Sequence, residues 1–297
     1  MRANNGVIEM PAKKKTEEVI EISEIQMSEA QFYVVGTSPL IMHRFSRKAW
    51  QELLMPSVRE NRASLEQKLK HDPHAEYRGA FYRNRDPKAP ALFHLPNGAF
   101  HGALAAAALD MPGAKKAQIE RLTRVTDINI DLFGVPEIFC AMVRNSDIAH
   151  TPDVRTRPIF PRWCCVVTIR FVKNIVTQRT IANLFGAAGA ITGIGDWRGQ
   201  KGGPYGSWKL VGPNDHQFRE IKKQGRTVQL KAYEKPAYYD EDTTEILGWF
   251  ESEVRRREMQ DHLSDDTYEP TVTVTKERGR NGGSIASGRE NEFQSQE

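Results

Sequence analysis

Arg162-Trp163-Cys164-Cys165-Val166-Val167-Thr168-Ile169-Arg170-Phe171-Val172 is the strongest strand signal in the sequence, dense in β-branched and aromatic residues. Its surroundings decide the fold. Residues 178–189 (QRTIANLFGAAG) read as a helix, residues 193–206 as a glycine-rich loop, and residues 206–211 (GSWKLV) as a further strand. Upstream, residues 29–35 (EAQFYVV) read as a first strand, stopped by Gly36-Thr37-Ser38-Pro39. A short strand at 91–95 leads through Pro96-Asn97-Gly98 into an Ala-rich helix at 98–110, narrow enough for close packing. A short helix near 114–122 and strand-like runs at 124–132 and 136–144 follow. Residues 145–158 read as a polar loop, and 215–233 as two further β-like runs. This mixture predicts an α+β protein with an antiparallel sheet and packed helices.

The periphery reads differently. Residues 1–22 are polar and predict a flexible arm. Ser46 is a candidate N-cap for a helix over 46–55, and residues 57–70 look helical but polar. Residues 71–90 (HDPHAEYRGAFYRNRDPKAP) lack a period and predict an excursion from the core. The organisation expected is an arm (1–22), a core (23–233) with an insertion at about 57–90, and a largely disordered acidic tail (234–297). Within that tail, 240–262 reads as one acidic-then-basic helix.

The 297 residues carry a net charge of +4, which hides a strong asymmetry. Residues 234–297 hold 8 Lys and Arg against 16 Asp and Glu, a net of −8. Residues 1–233 therefore carry +12. A basic body points to a polyanionic partner. No apolar run approaches a membrane span, and no secretory signal precedes the core, so a cytoplasmic protein is expected. Three cysteines, two of them adjacent on the best strand, exclude a disulfide framework.

The glycine-rich loop reads Gly-Ile-Gly-Asp-Trp-Arg-Gly-Gln-Lys-Gly-Gly-Pro-Tyr-Gly. Six glycines let a ligand approach the main chain. Trp197 and Tyr205 offer stacking faces, while Arg198, Lys201 and nearby Lys209 offer phosphate contacts. A dinucleotide fingerprint requires glycine where Arg198 stands, and a P-loop requires Gly-Lys-Ser/Thr, which is absent. The loop also follows a helix and precedes a strand, the reverse of both. Two further basic groups are candidates. His43, Arg44, Arg47 and Lys48 surround a loop-to-helix junction. Arg155, Arg157 and Arg162 flank the best strand, with Arg155 and Arg157 pointing the same way if extended. No paired-histidine or cysteine spacing suggests a metal, no cofactor is expected, and no catalytic motif stands out.

Three segments together resemble the RAMP superfamily of CRISPR effector proteins, most closely its filament-forming backbone subunits. Leu95-Pro96-Asn97-Gly98-Ala99-Phe100-His101-Gly102-Ala103-Leu104 is similar to that superfamily's helix start. Gly36-Thr37-Ser38-Pro39-Leu40-Ile41-Met42-His43 is similar to the loop after its first strand, and 193–206 to its glycine-rich loop. The resemblance spans roughly 29–211 and extends to phage-encoded relatives. It implies an RRM-like or ferredoxin-like core, single-stranded RNA or DNA as partner, and homo-oligomers or filaments along the strand. It also implies a thumb-like loop over the ligand, for which 71–90 is the candidate, and the acidic tail is a candidate contact for other proteins. Two alternatives stand beside binding: an RNA-processing nuclease using His43, and a phage structural or assembly protein.

Overall fold

The computed structural model describes residues 24–45, 71–144 and 152–257, together with Leu54. The chain enters as β1 (Met27–Gly36) and turns into the two-residue β2 (Leu40–Ile41). Next come α1 (Pro73–Gly79), β3 (Phe93–Pro96), α2 (Asn97–Ala107) and α3 (Lys116–Leu122). Strands β4 (Thr123–Val125), β5 (Asn129–Leu132), β6 (Glu137–Arg144), β7 (Pro152–Phe160) and β8 (Cys164–Val172) follow. Then α4 (Gln178–Ala187) runs through a π-helical turn (Ala188–Thr192) into the glycine-rich loop and β9 (Trp208–Val211). Helices α5 (His216–Lys222), α6 (Arg226–Glu234) and α7 (Glu241–Arg256) complete the described chain.

The main sheet has the order β4-β8-β1-β9, antiparallel throughout. Followed along the chain, β1, α2, β4, β8, α4 and β9 form a βαββαβ unit with ferredoxin-like strand order. The expected fold class is therefore the one observed. Period-two alternation assigns the faces. Ala30, Phe32 and Val34 of β1 and Cys165, Val167, Ile169 and Phe171 of β8 enter one core. There they meet Phe100 and Leu104 of α2 and Ile181, Leu184 and Phe185 of α4. The same alternation sends Cys164 to the opposite face, and all three cysteines are free.

That opposite face is where an RRM lays nucleobases on aromatic side chains. Here α5 lies across part of it. Phe218 and Ile221 pack with Val35 and Cys164, and Tyr33 meets Phe218 edge-on at 5.3 Å. The expected β-runs in 215–233 are thus helices. Asp215 caps α5 by accepting from the Phe218 amide, and the buried pairs Phe218/Ile221 and Gln229/Ala232 have helical i, i+3 spacing.

Two small sheets are inserted into this unit, β2-β7-β6 and β3-β5. Three further expectations need correction. Residues 71–81 are not an excursion but contribute to the core, while 83–90 run as a mostly exposed irregular segment. Asp72 caps α1, and Tyr77 and Phe81 are buried at i, i+4 spacing. Phe81 stacks on Phe93 at 4.1 Å, and the Tyr77 hydroxyl donates to the Ala232 carbonyl at 3.0 Å. Prolines and arginines hid that aromatic pair. Tyr77→Phe should destabilise the protein by about 1–2 kcal/mol in chemical denaturation, since the buried carbonyl loses its donor. Second, 152–158 is strand and not loop: Pro152 and Pro158 read as breakers, yet Thr156 between them is buried opposite Cys140. Third, the boundary at Glu234 follows charge and not packing. Capped by Asp240, α7 sends Leu247 into the main core, and its Thr243 hydroxyl accepts from the Cys140 amide. The arm at 1–22, the helix expected over 46–55 apart from Leu54, and residues 55–70 and 258–297 lie outside the described residues.

Candidate nucleic-acid interface

The glycine-rich loop is fastened to β2. The Gly206 amide donates to the Pro39 carbonyl at 2.8 Å, the Ile194 amide to the Gly206 carbonyl at 3.0 Å, and the Asp196 amide to the Ile41 carbonyl at 2.9 Å. These bonds deliver Asp196 and Trp197 beside the β2-β7-β6 sheet. Trp197 has φ of 54°, the sole non-glycine positive φ among the described residues. A bulky side chain there costs roughly 1–2 kcal/mol, and such conformations cluster at functional sites. The indole stacks on Tyr205 at 6.1 Å and 24°, and remains 43% exposed.

A cleft of about 110 Å³ opens between loop and sheet. Its floor follows from register. Phe139 lies opposite Arg157 and Ala141 opposite Arg155, so alternate residues of β6 and β7 share one face. Phe139, Ala141, Val143 and Ile41 make the floor apolar; Arg155, Arg157, Asp196 and Trp197 make the walls. The Asp196 carboxylate sits 3.6 Å from His43 Nδ1 and 3.7 Å from Arg157 Nε. The Arg157 side chain is only 13% exposed. One of its Nη atoms donates to the Thr156 carbonyl, but the buried Nε has no hydrogen-bond partner.

Burial, followed by the positive charge of Arg157, pulls the His43 pKa below its usual 6.5, while Asp196 opposes the shift. Burial likewise lowers that of Arg157, partly offset by Asp196. A depressed histidine pKa favours the fold above the free-histidine value and loses that contribution as pH falls through the folded value. Protonation also adds a cation to the cleft. Single-strand affinity should therefore rise only as pH falls below the ordinary histidine value of 6.5, whereas His43→Gln should flatten that rise; fluorescence anisotropy at fixed salt measures both.

Of the residues singled out from sequence, His43, Arg155, Arg157, Trp197 and Tyr205 come together here. Others do not. Arg44 is exposed and lies near His94. Arg162 pairs with Glu220 of α5 at 3.1 Å. Arg198 folds back onto Gln200 and the Gly195 carbonyl, beside a separate hollow against Gly98 and Gly102 of α2. Lys201 is exposed on a 3-10 turn (Gly199–Lys201). Lys209 is opposite Val35 and so belongs to the α5 side of the main sheet. Arg47 and Lys48 lie outside the described residues. Asp196 and the Phe139-Ala141-Val143 row were not singled out. The unbroken apolar run from Ile138 to Val143 signalled a strand, but it did not show which face would line a cleft.

No family model matches this chain, and neither does any curated protein. Among solved structures, it is similar to a chain of the cryo-EM structure of the Type III-B Cmr-beta bound to cognate target RNA. Identity is 11% and the TM-score 0.33, over 63% of this chain and 59% of that chain, so under two thirds of the neighbour's length is spanned. No helix among the described residues is long and apolar enough to cross a membrane.

Proposed function

We propose that the protein binds single-stranded nucleic acid in this cleft, as a RAMP-type binder that assembles side by side along the strand. The observation that carries this reading is the partly exposed, stacked Trp197–Tyr205 pair directly beside Arg155 and Arg157. Aromatic faces hold bases irrespective of sequence, and guanidinium groups track phosphates. The +12 charge on residues 1–233 supplies long-range attraction. Cover by α5 on the RRM-type stacking surface supports a site in the cleft instead. The acidic C-terminal segment would compete with the ligand or recruit other proteins.

Fluorescence anisotropy with labelled single-stranded RNA and DNA at rising salt tests the reading. Binding at low salt that weakens log-linearly with salt is expected. Absence of binding at low salt would remove it and favour an assembly role.

One observation favours a second reading, RNA cleavage. His43 Nδ1 faces the Asp196 carboxylate beside Arg157, an arrangement able to orient a neutral imidazole near a phosphate. Metal-independent cleavage abolished by His43→Ala would support it.

A further inference from the structure

We infer that the cleft reads one nucleotide of the bound strand as guanine. This rests on the proposed single-strand binding and adds a specificity to it. The cleft has the form of a base slot, with an apolar floor from Phe139, Ala141 and Val143 and an indole wall from Trp197. Its polar wall holds two groups side by side. Arg157 is a pure donor, and its Nε is buried without a hydrogen-bond partner. At 3.7 Å from Asp196 it is too far for a hydrogen bond, though close enough for attraction. Asp196 is a pure acceptor. Its Oδ1 accepts one bond, from the Trp197 amide at 3.1 Å, and the carboxylate retains capacity for more.

The wall therefore presents a donor followed by two acceptor positions. The Watson–Crick edge of guanine is the complement: O6 accepts, and N1–H and N2–H₂ donate. Uracil matches the first two positions and then turns a carbonyl towards the carboxylate. Cytosine and adenine each bring one donor to this edge, so neither can bond the carboxylate twice. O6 would accept from the Arg157 guanidinium that lines the cleft, and a base that offers no acceptor there leaves that charged donor desolvated and unpaired.

The test uses full-length protein and labelled U-rich 12-mers carrying G, A, C, U or inosine at the centre. Wild type should bind the G strand about tenfold or more tightly than the others, the scale of one good bidentate contact. Inosine lacks the N2 amino group and should lose most of that preference. Asp196→Asn should erase the preference for the G strand over the other four, and a thermal melt checks its fold. Equal affinity for all five strands, with normal salt dependence, overturns the guanine inference and leaves single-strand binding standing. Retained preference in Asp196→Asn also overturns it. No binding to any strand overturns both.

Discussion

Gly206→Ala should destabilise the protein by on the order of 3–5 kcal/mol and remove single-strand binding with it. Two separate effects add at this position. Its φ of 75° strains any L side chain, worth roughly 1–2 kcal/mol. A Cβ there would also lie 1.8 Å from the Ile194 carbonyl oxygen, a backbone atom that cannot rotate away. Making room breaks the bond from Gly206 to Pro39, which ties the loop to the entry of β2, and the bond from Ile194 to Gly206, which closes the loop on itself. Gly202 provides the control. Its φ is 76°, yet a Cβ there meets nothing within 4 Å. Gly202→Ala should thus cost only the backbone strain, roughly 1–2 kcal/mol, and leave the cleft intact. Urea denaturation of both variants isolates the steric part. Equal losses would mean that loop closure at Gly206 is not what holds Asp196 and Trp197 in place.

Arg157→Ala combined with Trp197→Ala should weaken single-strand binding by roughly 2–4 kcal/mol, about 30-fold to 1,000-fold. Stacking on the indole contributes roughly 1–3 kcal/mol of this, and the guanidinium contributes the electrostatic remainder. Removing one cation from the cleft should also reduce the slope of log affinity against log salt, by up to about 0.7. Folding should survive, because Asp196 is half-exposed and remains solvated when its neighbour is removed. Arg198→Ala serves as the contrast. Its guanidinium is turned onto Gln200 and the Gly195 carbonyl, so binding should change by less than about threefold. A larger effect from Arg198 than from Arg157 would move the site to the hollow beside α2.

The fold was legible where burial imposes a period. In Cys164–Val172 and Met27–Gly36 every second residue meets the α2–α4 core, while dense β-branched and aromatic residues mark both as strands even where α5 buries the other face at Val35 and Cys164. Legibility failed where a buried residue is disguised by its neighbours. Tyr77 and Phe81 stand among arginines and prolines, and β7 carries Arg155 and Arg157 on the face that lines the cleft, so charge concealed a strand. At the site, composition found Trp197, Tyr205 and the two arginines. It could not show that Arg198 turns away, which depends on a neighbouring glutamine and a carbonyl. Nor could it show that Asp196 faces Arg157 and His43, a meeting of segments more than thirty residues apart in sequence.

Photo-crosslinking of a 4-thiouridine-labelled single strand to the full-length protein, with adducts mapped by mass spectrometry, locates the ligand most directly. Adducts at Trp197 and Tyr205, and at peptides from β6 and β7 bearing Phe139 and Arg157, are the expected result. Adducts confined to α5 and the outer face of the main sheet, around Tyr33 and Lys209, would contradict binding in the cleft.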